Sequence, residues 1–252
     1  YLALSFSTLD LVGHDFGPDS HEVQDVLSHL DVTLGRLFTF LDNRVGRGAY
    51  VVAVSADHGV APIPEQAAKA GLDAGRILTT TISRSVEQAL EPVLGAGPHV
   101  ARVVFTDIYF EPQRSAAILA NPAAMKAVRE ALLSIPGLQH VFTQTEILQP
   151  GKDPLRRAIK LSYFPGRSGD VVVVAKPGWI FSTAVALPAA NHGTAHPYDQ
   201  RVPIILMGTR IGRGTYTQAA TPADLAPTLA SLAGIRMDRA QGRVLNEAVT
   251  TR

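Results

Sequence analysis

Four short apolar runs limit what this chain can fold into: YLALSFS at residues 1–7, YVVAVS at 50–55, DVVVVAK at 170–176 and VPIILM at 202–207. Runs of this length and composition read as buried strands. Between the first two lie Val23, Val26, Leu27, Leu30, Leu34, Leu37, Phe38 and Leu41, spaced by threes and fours, which is one apolar face of a helix. Gly46 and Gly48 end it. Strand, helix and strand in this order predict a βαβ unit with parallel neighbours and a right-handed crossover. Ligands of such sheets gather beyond the C-terminal ends of the strands, and Asp10 and Asp57 both fall there.

The middle of the chain reads differently. An extended piece and a helix are expected over 76–94, with the helix from 85, then a strand over 100–109, a helix over 122–134 and a short strand over 140–143. This α+β stretch holds no His/Asp constellation. Residues 155–164 and 170–176 predict a hairpin about 165–169. Thr221 and Pro222 mark a helix start, Leu225, Leu229 and Leu232 its apolar face, and Gly234 its stop. The expected organisation is therefore an α/β core from residues 1–72 and 166–252, with 73–165 inserted as a lobe. The chain opens on an apolar run without a methionine or leader, which reads as a cut end.

Composition excludes several classes. The chain has 252 residues, 46% of them hydrophobic, enough for a sizeable core. A net charge of +1 gives no reason to invoke nucleic acid or a membrane surface. No apolar run is long enough to span a bilayer. The absence of cysteine excludes disulfides and thiolate metal sites.

Three clusters carry chemistry. In Thr8-Leu-Asp10-Leu-Val-Gly-His14, a carboxylate and an imidazole four residues apart can converge on one ion. In Ser55-Ala-Asp57-His58-Gly59, Asp and His stand side by side at a strand end. In Asn191-His192-Gly193-Thr194-Ala195-His196-Pro197-Tyr198-Asp199, Gly193 lets the backbone come close to a site. Neutral imidazole and carboxylate are the ligands zinc takes when cysteine is absent. Two neighbouring zinc ions can clamp the attacking and leaving oxygens of a phosphate ester. His196 competes with His192 as a ligand, or sits behind it. Asp199 orients a ligand or caps a turn. Arg167 can approach an anion, although turn arginines are mostly solvated. His99 and His140 lie in the middle stretch, away from the expected chemistry.

The stretches SFSTLDLVGHDFGPDS, VVAVSADHGVAP, FPGRSGDVVVVAKPGWI, HGTAHPYDQRVPIILMG and TPADLAPTLASLAGI resemble the alkaline phosphatase superfamily. More narrowly, they resemble its branch of type I phosphodiesterase/nucleotide pyrophosphatase-like proteins and phosphate-irrepressible bacterial phosphatases. The resemblance implies a mostly parallel sheet between helices. It implies one zinc on Asp10, His14 and His192, and a second on Asp57 and His58 with an upstream Asp and a Ser or Thr nucleophile. That nucleophile is expected upstream of Tyr1, because no Ser or Thr here follows the first core strand at a helix start; Thr8 is set aside as part of the metal-bearing strand. The expected function is zinc-dependent hydrolysis of a small phosphate ester, monoesters before diesters, in the periplasm or outside the cell. Two zinc ions are expected in the intact protein and one in this chain alone. Alternatives are a metal-binding fragment without activity, and a sulfatase, phosphonate hydrolase or phosphoglycerate mutase of the same superfamily.

Overall fold

The computed structural model describes residues 1–185 and 188–250. Its elements in chain order are α1 (Thr8–Phe16), α2 (His21–Arg44), β1 (Val51–Ser55), α3 (Pro64–Lys69), β2 (Gly75–Leu78), α4 (Thr79–Leu94), β3 (Val100–Val104), β4 (Asp107–Phe110), α5 (Pro112–Ala120), α6 (Pro122–Leu133), β5 (Leu138–Thr143), α7 (Gln144–Leu148), α8 (Pro154–Ser162), β6 (Val171–Ala175), β7 (Trp179–Ser182), α9 (Pro197–Gln200), β8 (Ile204–Gly208) and α10 (Leu225–Leu232). This is the mixed α/β class expected from the sequence, with a parallel strand pair, β2–β7, among helices. The chain divides into two compact units, Tyr1–Val23 with Val60–Asp199, and Gln24–Gly59 with Gln200–Arg252. The sequence predicts a separate division, with an insertion bounded near 72 and 165.

In the first unit, β3, β4, β6 and β5 form an antiparallel sheet in that order. β6 is buried along its whole length. Its alternate residues serve two cores, as the two-residue period of a strand dictates. Val171, Val173 and Ala175 join Ile82, Val86 and Leu90 of α4 and Val128 and Leu132 of α6. Val172 and Val174 join Ile147 and Ile159 on the other face. A strand covered on both faces has no polar alternation, which explains the unbroken valine run.

In the second unit, β1 pairs antiparallel with β8, from Val51 opposite Gly208 to Ser55 opposite Ile204. β1 is only half-buried, and Ile205 and Met207 of β8 are exposed. The stripe on α2 exists, with Val26, Leu30, Leu34, Leu37, Phe38 and Leu41 half-buried and Leu27 exposed. α10 lies against β1, starting after Pro222 and stopping at Gly234, whose φ is +75°.

Several expectations are overturned. Residues 1–7 form no strand and are exposed. An apolar run becomes a strand only where a ladder takes its backbone groups, and no described strand pairs with this one. The parallel βαβ unit is therefore not formed. Residues 155–164 are not a hairpin arm, because most of them lie in α8. Asp153 accepts from the Leu155 amide at 3.0 Å, Pro154 occupies the first helical position, and Leu155 and Ile159 meet one core at helical spacing. The strand expected over 100–109 is two strands, broken at Phe105. α4 starts at Thr79, six residues before the expected position.

Candidate metal centre

Asp10 and His14 lie one turn apart on α1, not beyond a strand, so the helix itself puts both on one face. Thr8 likewise begins this helix rather than lying in a strand. His192 arrives from the segment after β7. The three donor atoms close a triangle: Asp10 Oδ1 to His14 Nε2 is 3.5 Å, Asp10 Oδ1 to His192 Nε2 is 3.4 Å, and His14 Nε2 to His192 Nε2 is 3.2 Å. Zinc with bonds of about 2.0–2.1 Å in tetrahedral array separates its ligand atoms by about 3.3 Å. The side chains are partly exposed, so one direction remains open. His14 Nδ1 lies 2.8 Å from the Ala190 carbonyl. A carbonyl only accepts, so Nδ1 carries the proton and Nε2 presents a lone pair. Two imidazole nitrogens and a carboxylate thus share one small space, a donor set that fits a cation.

The triangle is braced by residues far apart in the chain. The Ala190 amide returns a bond to the His14 carbonyl at 3.1 Å, so the end of α1 and the segment carrying His192 hold each other twice. Asn191, 5% exposed, donates from Nδ2 to the Phe181 carbonyl at 3.0 Å and accepts from the His192 amide at 3.0 Å. Its carbonyl takes the Ala61 amide at 3.0 Å. Arg76 donates to the carbonyls of Pro188 and Ala189 at 2.7 and 2.8 Å, and pairs with Glu65 at 2.6 Å. The Arg76 bond holds the Glu65 carboxyl below its ordinary range. Asp199 Oδ2 accepts from the Thr194 amide at 2.7 Å and from its hydroxyl at 2.6 Å. Burial pushes the Asp199 carboxyl up, against those bonds. Asp199 therefore caps the turn after His192.

In the other unit, Asp57 and His58 follow β1. His58 Nδ1 lies 2.9 Å from the Gly59 carbonyl, and its Nε2 lies 3.5 Å from Asp57 Oδ2. The His58 amide donates to Asp57 Oδ1 at 3.2 Å. The imidazole is thus held as His14 is, with Nδ1 on a carbonyl and Nε2 towards a carboxylate. This is a common arrangement for a metal-ligating histidine.

His196 does not join the triangle. It is buried, with Nε2 2.8 Å from the Ala175 carbonyl. His99 is a core residue between the Gly95 carbonyl and Arg114. Arg167 lines the same cleft as His14 and His192. Asn191 and Arg76 were given no role from the sequence. Asn191 at least stood beside a candidate ligand; Arg76 gave no signal.

The sequence model for type I phosphodiesterase / nucleotide pyrophosphatase matches residues 1–199. The chain belongs to that family. Alkaline phosphatase PafA of Elizabethkingia meningoseptica is 29% identical over 256 residues, covering 99% of this chain and 46% of PafA. Alkaline phosphatase PhoV of Synechococcus elongatus is 28% identical, covering 98% of this chain and 44% of PhoV. The crystal structure of wild-type PafA matches with a TM-score of 0.85 at 28% identity, over 96% of this chain and 46% of that one. This phosphodiesterase-family chain therefore lies in the alkaline phosphatase superfamily, and it spans about half the length of the curated relatives it matches.

Proposed function

We propose that the chain supplies metal ligands to a zinc-dependent phosphoric ester hydrolase, with monoesters as the favoured substrates and diesters next. The carrying observation is the triangle of Asp10, His14 and His192, whose donor separations suit one zinc ion. In this reading Asp57 and His58 hold a second. Bound zinc supplies Lewis acidity towards phosphoryl oxygens. The chain's own residues do the rest. Asp10 offsets part of the cationic charge. The Ala190 carbonyl fixes the His14 tautomer, and Asn191 fixes the height of His192. The cleft beside them, with Asn191, Ser168 and Thr183 in its lining, receives the ester.

The attacking hydroxyl is assigned to a part of a longer protein outside these residues. We keep 73–165 as an insertion on a core of 1–72 and 166–252, set at the mouth of the site; Val104, Phe105, Thr106, Asp107 and Tyr109 in the cleft lining support that placement. Location in the periplasm or outside the cell belongs to the same proposal. Among the described residues no helix is long and apolar enough to cross a membrane.

Calorimetric titration of the purified chain with zinc tests this reading. About one tightly held ion per chain is expected, with little hydrolysis of a chromogenic monoester. A longer protein carrying this chain should be active and lose that activity with chelator. No zinc uptake by the chain, or chelator-resistant hydrolysis by the longer protein, would overturn it.

A further inference from the structure

The cleft that holds His14 and His192 has a volume of about 700 Å³, and part of its lining has nothing to do with holding a metal. Phe105 sits at the tip of the β3–β4 hairpin with φ at +49° and half of its surface exposed. A bulky residue is a rare occupant of left-handed backbone, and strained positions gather at ligand clamps. A turn shaped for stability alone favours Gly or Asn there. The turn is nevertheless firmly held. Asp107 accepts from the Gly169 amide at 2.6 Å and from the Thr106 hydroxyl at 2.8 Å, and the Val173 amide donates to the Thr106 carbonyl at 2.8 Å.

Arg167 comes to the same cleft from the turn before β6. Its carbonyl accepts from the Tyr109 hydroxyl at 3.0 Å, and its amide donates to the Phe164 carbonyl at 3.1 Å. Its guanidinium lies 5.7 Å from the Phe164 ring centre and forms no ion pair among the described residues. Two turns from separate parts of the chain thus bring an exposed ring and a planar cation without an ion pair among the described residues to one cleft. Val104 and Pro188 add apolar wall. The Asp107 carboxylate in the same lining argues against a further anionic group on the part of the ester that lies beside it.

Resting on the hydrolase reading above, we propose that Phe105 and Arg167 form a subsite for the leaving group of the ester, shaped for a flat, uncharged aromatic ring. The ring would stack on Phe105, and the guanidinium of Arg167 would lie over it or donate to its acceptors.

Benzyl phosphate and ethyl phosphate test the subsite, because both leave as primary alkoxides and differ in the ring. In a longer protein carrying this chain, the kcat/KM ratio of benzyl to ethyl should exceed one. Phe105→Ala should lower that ratio about tenfold, and Arg167→Ala about threefold. Phe105→Gly removes the ring and suits the positive φ, so it should melt no lower than the parent and lose the same selectivity. An unchanged ratio in the phenylalanine variants overturns the proposal, even if absolute rates fall. Should the protein hydrolyse neither ester, the hydrolase reading fails, and titration with benzylphosphonate and ethylphosphonate still decides the subsite. Tighter benzylphosphonate binding that is lost in Phe105→Gly supports it; equal affinities overturn it.

Discussion

The two His–carboxylate pairs of this chain are built on opposite plans. Asp57 and His58 are adjacent residues, and their own turn with Gly59 fixes the His58 ring. Asp10 and His14 are joined by His192, 178 residues further along the chain from His14, and the join runs through Ala190, Asn191 and Arg76. A local pair is as reliable as its own turn. A long-range triangle is as reliable as every contact that positions its third member, and it gains a third donor in return. Substitutions far from the donor atoms should therefore disturb the triangle.

The sharpest contrast lies in the donors themselves. His192→Ala should weaken zinc binding by the purified chain more than about 100-fold, since losing a supporting residue alone typically costs 10–100-fold. Asp57→Ala should leave the single tight site present at about one zinc per chain. Metal analysis after dialysis separates them, and equal losses would mean that the tight site lies elsewhere. Asn191→Ala comes next. It strips the anchors from a buried segment, so it should cost about 2 kcal/mol of stability and about tenfold in zinc affinity, read by denaturant melts and zinc titration. A variant that loses stability with unchanged zinc affinity would show that Asn191 supports the fold but not the triangle.

The smallest effect concerns Arg76 and Glu65. Because the folded Glu65 carboxyl lies below its ordinary range, its contribution to stability is present above the unfolded value and is lost as pH falls through the folded one. Glu65 is half-exposed, so solvent screening keeps this contribution under about 1 kcal/mol. Melting temperature should fall more steeply with acidification in the parent than in Glu65→Gln. Parallel curves would remove the ion pair from the brace and leave only the Arg76 bonds to the 188–189 carbonyls.

What could be read in advance follows the same divide between local and distant causes. The strand near 170–176 was legible because burial on both faces writes itself into composition; those near 50–55 and 202–207 carry similar apolar runs although β1 is only half-buried and Ile205 and Met207 of β8 are exposed. Asp10 and His14 were legible because a spacing of four brings two side chains together, although the apolar run before them predicts a strand end and they lie on a helix. Residues 1–7 carried a strand's composition without its partner. The helix at 154–162 hid because Leu155 and Ile159 touch a core whose other members, Val172 and Val174, lie later in the chain. Asn191 and Arg76 act by meeting carbonyls 10 and 112 residues away, which no local pattern records.

Four consecutive valines in β6 leave a problem of alignment. Sliding that strand by one residue would exchange its two faces, yet at most positions it would put valine where valine had been. Side-chain shape therefore discriminates poorly between the native pairing and its nearest error. The polar residues at the head of the strand make the distinction. Asp170 accepts from the Phe110 amide at 2.8 Å and from the Ser115 hydroxyl at 2.7 Å. Gly169 leaves room where a Cβ would come within 2.9 Å of the Ile108 backbone. A slipped strand would pull the carboxylate off both donors and bring a larger residue against that backbone. The head of β6 thus works as an index mark for a nearly featureless ribbon, and its loss should show first as mispaired, slowly refolding chains rather than as a weaker core.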